Sequence, residues 1–169
     1  LLSMAKQDAD DREALLTLGD VLIDKKEYEK AADVYTQALS RIKTPQSADW
    51  VIFYARGIAY ERSKKWRLAE PDFFKALELK PDQPDVLNYI GYSWLVMDKN
   101  VDRAKEMLKT AISLRPDDAH IIDSYGWALF KIGEYAEAVK YLEKANLIMP
   151  HDVTTNDHLG DAYWKTGRT

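Results

Sequence analysis

The chain contains no cysteine. A disulfide framework, a thiolate nucleophile and a cysteine zinc site are therefore excluded, while the choice between a reducing and an oxidising compartment stays open. Long apolar runs are missing too. The best stretch, Val86 to Met97, is interrupted by Asn88 and Ser93 and falls short of the roughly 18 residues a membrane-spanning helix needs. There is no basic stripe. Lys64, Lys65 and Arg67 form a short cluster that reads as a solvated turn, and the net charge is −4 with acidic residues interspersed among lysines, so nucleic acid is not an expected partner. No glycine-rich phosphate loop, HExxH or GxSxG motif occurs. Histidines number three: His120, His151 and His158. Only His158 lies near carboxylates, Asp157 and Asp161, and one imidazole with one or two carboxylates on a helix face falls short of a metal or catalytic set. The expectation is no enzymatic role, no cofactor, no metal and no small-molecule substrate.

What is present is periodic. Gly19, Gly57, Gly91, Gly126 and Gly160 are spaced by 38, 34, 35 and 34 residues, each in the same small setting. A period near 34 marks stacked helical hairpins. Twelve residues after the glycine comes Ala31, Ala69 or Ala138; four further on stands Tyr35, Phe73 or Leu142; three further still stands Ala38, Ala76 or Ala145. Two units close on Pro81 and Pro150, and one closes late on Pro45. Steps of three and four place Ala31, Val34, Tyr35, Ala38 and Leu39 on one helical face. Glycine in the first helix and alanine in the second are small where two backbones approach closely, and the large residue fills the space beside them. Proline stops the second helix because it donates no amide hydrogen and biases its predecessor away from helical geometry. With 46% hydrophobic residues the chain is too apolar for disorder and long enough at 169 residues for a continuous core.

The runs GIAYERSKKWRLAEPDFFKALELKP and GWALFKIGEYAEAVKYLEKANLIMP resemble the tetratricopeptide repeat in its small-x2-Tyr, Ala-x3-Phe and terminal proline pattern. The likeness covers four units and fragments at both ends. It implies an all-α fold, a right-handed superhelical solenoid of antiparallel helix pairs. Residues 1–11 read as the tail of a preceding repeat and its exit loop. Repeats follow over 12–49, with a long exit loop, then 50–83, 84–118 and 119–152, and residues 153–169 supply the first helix of a fifth. Unfinished ends suggest a segment of a longer protein, with any anchor to a membrane outside it. Three irregularities stand out: an insertion in Ile42 to Asp49, one extra residue in the turn Asp98 to Asn100 that puts Arg103 where alanine is expected, and Pro71 inside a second helix, which should kink it or delay its start to about Glu70.

In the family it resembles, first helices line a concave surface through positions three before the glycine and one, four and five after it. Carried onto this chain, the partner-binding groove is Asp20 in the first repeat, Tyr54, Ile58 and Arg62 in the second, and Asn88 and Tyr92 in the third. It continues with Asp123, Trp127, Phe130 and Lys131, then Asp157, Asp161 and Trp164. Leu16, Leu95 and Lys165 occupy further positions of the same register. Exposed aromatics beside polar groups suit a protein partner, and the alternative is that the aromatics pack between helices. Asp123, Asp157 and Asp161 must either face solvent or find partners. A clamp for a terminal carboxylate would need lysine and asparagine where Leu16 and Asp20, Tyr54 and Ile58, or Asn88 and Tyr92 stand, so the expected ligand is instead an extended or helical segment with apolar and cationic side chains. The implied function is a non-catalytic scaffold or adaptor that binds a peptide or partner-protein segment; the alternative is a structural element that self-associates through its terminal helices. The run from His120 to Arg168 also resembles the C-terminal repeats of large bacterial tetratricopeptide proteins, although Asn156 replaces a residue that is usually large. That likeness implies a bacterial source, with the periplasmic side of the envelope or the cytoplasm as the site.

Overall fold

The computed structural model describes residues 2–168, with side chains from Asp11 onward. Among the described residues there are nine α-helices and no strand: α1 Leu2–Asp24, α2 Tyr28–Ser40, α3 Trp50–Arg62, α4 Trp66–Leu79, α5 Pro84–Val96, α6 Val101–Leu114, α7 Ala119–Lys131, α8 Tyr135–Ile148 and α9 Val153–Thr166. They fall into two compact units, Leu1–Pro81 and Asp82–Thr169. In the first, α1 packs on α2 and α3 on α4, with α2 against α3. In the second, α5 packs on α6 and α7 on α8, α6 and α8 contact the helices that follow them, and α5, α7 and α9 touch in succession. Helices joined by short turns and packed on each other run antiparallel.

Each pair is keyed by its glycine. A Cβ on Gly19 would lie 2.4 Å from the Tyr35 ring, on Gly57 2.6 Å from Phe73, on Gly91 2.7 Å from Leu108 and on Gly126 2.8 Å from Leu142. No side chain fits at those distances, so glycine is what lets the second helix of the pair approach. The large residue is flanked by alanines on its own helix, and every member of the sets Ala31–Tyr35–Ala38, Ala69–Phe73–Ala76, Ala104–Leu108–Ala111 and Ala138–Leu142–Ala145 is buried. The extra residue after Asp98 is absorbed in the turn: Asn100 turns left-handed, α6 starts at Val101, and Ala104 takes the alanine place. Arg103 is exposed, its guanidinium 5.4 Å over the Trp94 ring.

A second regularity lies seven residues after each repeat glycine. Lys26, Lys64, Asp98, Gly133 and Gly167 all have positive φ, between 51° and 85°. Each ends a first helix in the same way: the amide of the next residue reaches back to a carbonyl five residues earlier, as in Glu27 to Leu22, Lys65 to Tyr60 and Glu134 to Leu129. This is the Schellman closure, which satisfies carbonyls the helix end would otherwise leave unpaired.

Two expectations are corrected. First, α1 runs unbroken from Leu2 across KQDADD, where an exit loop was expected; no glycine or proline occurs there to stop a helix. The reading of Leu1 itself lies outside the described residues. Second, Pro71 does not delay α4, which starts at Trp66. Leu68 and Ala69 already bond back to the Lys65 carbonyl, so the helix is established before the proline removes its single donor. The Ile42–Asp49 insertion ends in a short 3-10 turn, Ser47–Asp49, closed by a capping box between Gln46 and Asp49. Asp49 is buried there, 3.5 Å from the Arg12 guanidinium.

Candidate functional site

In the second unit the first helices of successive pairs, α5, α7 and α9, are neighbours. Asp123 sits on α7 three residues before Gly126, and His158 on α9 two residues before Gly160. Their side chains meet: His158 Nδ1 lies 3.0 Å from Asp123 Oδ2 and 3.2 Å from Oδ1, both residues buried. Asp123 is thus paired rather than open to solvent. His158 turns toward it and away from Asp157 and Asp161, which are exposed.

A ladder of rings starts at that pair. Trp127 stacks on His158 at 4.1 Å and 11°, and on Phe130 at 4.6 Å and 8°. Phe130 meets Tyr135 edge-on at 5.2 Å, and the Lys165 ammonium lies 5.9 Å from the Tyr135 ring. On the α5 side the Tyr92 ring is 6.3 Å from His158. Burial, followed by the negative charges of Asp123 and Asp152, pushes the Tyr92 hydroxyl above the usual phenol range. Trp127, Phe130 and Tyr92 are all half-buried, so each residue keeps some accessible surface. Lys131 pairs with Asp98 at the end of α5. Asn88, one turn before Tyr92, has a buried Oδ1 without a hydrogen-bond partner. The face is therefore mainly apolar and aromatic. Trp164, on α9, is 75% exposed.

In the first unit the expected residues do not assemble in this way. Asp20 accepts a hydrogen bond from the Tyr35 hydroxyl at 2.7 Å, which ties α1 to α2. The Tyr54 ring lies 5.9 Å from Trp50 and 6.1 Å from the buried Phe73, so it packs inward toward α4. Ile58 is half-buried, and exposed Arg62 has Glu61 at 3.7 Å. Among the further positions of that register, Leu95 is fully buried. A 570 Å³ cleft between the two helix turns is lined by Lys26, Lys30, Arg62 and Lys64, with Glu27 and Glu29 among them. Its cations are partly matched, Lys30 by Glu27 and neighbouring Lys65 by Glu29.

Two side chains outside the expected set matter. His158 completes the floor of the aromatic face, and its spacing of 35 from Asp123, one repeat period, is the signal that could have found it. Arg56 makes a two-pronged contact to Asp72, Nε and Nη2 each at 2.7 Å, bonds Thr36 at 3.1 Å and lies between the Phe53 and Tyr60 rings. Burial alone would lower its pKa, but the Asp72 carboxylate reverses that and raises it. This arginine is a brace that spans α2, α3 and α4.

Comparison with known proteins agrees with the helix pairs. Two family models described as tetratricopeptide repeat match residues 95–154 and 2–48. A TPR repeat-containing protein of Pseudomonas aeruginosa is 32% identical over 114 residues, which is 67% of this chain and 19% of that relative, so the chain spans about a fifth of its length. Among solved structures, pilF of Pseudomonas aeruginosa superposes with a TM-score of 0.77 at 20% identity, covering 95% of this chain and 71% of its own. YrrB, a TPR protein with an unusual peptide-binding site, gives 0.70 at 20% identity over 90% and 76% of the two chains. Glycine notch, flanking alanines, helix order and family match converge, and the chain belongs to the tetratricopeptide repeat family as an all-α repeat array with the general character of a protein-interaction scaffold.

Proposed function

We propose that this chain is a non-catalytic adaptor whose α5–α7–α9 face holds a peptide or partner-protein segment rich in apolar side chains. The observation that carries the reading is the partly exposed ring ladder of Trp127, Phe130 and Tyr92 set on the buried His158–Asp123 pair. Aromatics held rigid by a buried floor give a partner large contact area with little further loss of side-chain freedom. The peptide-binding site of YrrB, on a chain of the same fold, supports the class of ligand and not its sequence.

The experiment is peptide display selected on the intact chain, with selected peptides measured against the chain and against Trp127→Ala. Removal of an anchoring tryptophan should weaken binding about 30-fold or more, since such anchors contribute about 2 kcal/mol or more. Circular dichroism of the variant must show the helical content unchanged. Peptides that bind both proteins equally would exclude this face. Asp123 is a poor target for the purpose, because its carboxylate belongs to the buried floor and its loss would disturb folding.

A further inference from the structure

The turn that closes each first helix holds a residue in the left-handed region, and its identity changes along the chain. Gly133 and Gly167 stand there in the last two repeats and Asp98 in the third, whereas the first two repeats carry Lys26 and Lys64, with φ of 61° and 60°. Lysine is an unfavourable choice for that backbone, because its Cβ crowds the carbonyl where glycine has none. A side chain kept there against the backbone preference points to a use for it.

Both lysines line the same cleft of the first unit, the one of 570 Å³ between the two helix turns. Its charged lining sets four cations, Lys26, Lys30, Arg62 and Lys64, against two carboxylates, Glu27 and Glu29. Those carboxylates are already matched, Glu27 by Lys30 and Glu29 by Lys65, and Arg62 has Glu61 at 3.7 Å. Lys26 and Lys64 are exposed, and their ammonium groups make no hydrogen bond or ion pair among the described residues. The corresponding turns of the second unit are neutralised instead, Asp98 by Lys131 and Glu134 by Lys105. In a chain of net charge −4, this positive cleft is a local feature and does not follow from composition.

We propose that this cleft docks an acidic segment of a partner protein, which places carboxylate side chains on Lys26 and Lys64. Two ammonium groups on flexible stems act as separate point charges and suit separate carboxylates. Glu27 and Glu29 stay in the lining and repel a continuous phosphate backbone, so a protein segment fits better than a nucleic acid. The half-buried Tyr28, also in the lining, offers a ring to an apolar side chain between the acidic ones. No residue of the α5–α7–α9 ring face lines the cleft, so this contact is independent of the function proposed for that face.

The test uses the intact chain and a fluorescein-labelled peptide, GEELEEG, titrated by anisotropy beside its neutral counterpart GQQLQQG. The acidic peptide should saturate and the neutral one should not. Lys26→Gln with Lys64→Gln should weaken binding about 10-fold, as the loss of two solvent-exposed charge contacts allows. Lys99→Gln with Lys109→Gln removes the same charge from exposed lysines outside the cleft and should leave affinity within about 2-fold of the parent, the residue of long-range attraction. Lys64→Gly should also bind more weakly while its thermal midpoint does not fall, which separates a lost contact from a damaged fold. Trp127→Ala should leave this peptide's affinity unchanged, so the outcome here and the outcome at the ring face are read separately. Absence of saturable binding, equal binding of the neutral peptide, or an equal loss in both double variants overturns the proposal. So does tripolyphosphate that displaces the labelled peptide at lower concentration than unlabelled GEELEEG, since the preferred ligand would then be a phosphate.

Discussion

His158 Nδ1 reaches across from α9 to Asp123 Oδ2 on α7 at 3.0 Å, one repeat period along the chain, with both side chains buried and the Trp127 ring stacked on the imidazole. A buried polar pair is costly to break from one side, because the remaining partner keeps its desolvation penalty and loses its bond. Asp123→Ala and His158→Ala should therefore each lower unfolding free energy by about 2 kcal/mol in urea titrations, and the double variant by much less than their sum. Additive losses would show that the two residues do not act as a pair.

The glycine notches predict opposite outcomes for one substitution. Gly57→Ala drives a methyl to within 2.6 Å of the Phe73 ring in the buried centre of the α3–α4 pair, an overpacking that costs about 1–3 kcal/mol. Among the described residues a methyl on Gly160 meets nothing within 4 Å, and alanine is the better helix former by about 1 kcal/mol, so Gly160→Ala in this chain should be more stable than the parent. Thermal melts of the two variants side by side check both signs.

The sequence displays the repeats because the residues that key them are small and few. Glycine and alanine at fixed spacing report close backbone approach directly, and the large residue four positions after the alanine was correctly placed in the core. The left-handed turn position was hidden, since only Gly133 and Gly167 advertise it, and Lys26, Lys64 and Asp98 adopt the same backbone without a sequence sign. The candidate face was only partly legible. Register placed Tyr92, Trp127 and Phe130 on one surface, but register alone does not say which polar groups pair. Asp20 is drawn aside by Tyr35, Tyr54 is drawn inward by Trp50 and Phe73, and Asp123 finds His158 a full period away. Those outcomes depend on side-chain lengths across a helix interface, which periodicity does not encode.

That hidden turn position gives a third expectation. Lys64 holds φ at 60°, a region that costs an L-residue about 1 kcal/mol relative to glycine. The side chain is exposed, so little packing is lost on its removal. Lys64→Gly should raise stability by about 0.5 kcal/mol at most after allowing for the greater freedom of glycine in the unfolded chain. Gly133→Ala, with φ at 85° and open space around it, should lower stability by about 1 kcal/mol through backbone strain alone. Denaturant midpoints with unchanged slopes would confirm that the effects are local.

Alkaline pH should weaken the fold, and Tyr35 should account for part of it. Burial, then its hydrogen bond to Asp20, then the charges of Asp20 and Asp24 push the Tyr35 hydroxyl well above the ordinary phenol value of 10.0. Because the native state holds this proton more tightly than the unfolded chain, the stabilisation is complete below the unfolded value and is lost as pH rises through the higher folded one. Between about pH 10 and the folded value, each such tyrosine should remove about 1.4 kcal/mol of stability per pH unit. Tyr92, Tyr125 and Tyr163 are shifted in the same direction, so a slope will persist without Tyr35. Tyr35→Phe should cost about 1 kcal/mol at neutral pH through the lost hydrogen bond to exposed Asp20, yet decline less steeply on the alkaline side. Urea unfolding at several pH values from about 8 to about 11 compares the two limbs. Parallel curves for parent and variant would mean that the Tyr35 hydroxyl ionises as readily in the folded chain as in the unfolded one, and that the Asp20 contact contributes nothing to retaining its proton.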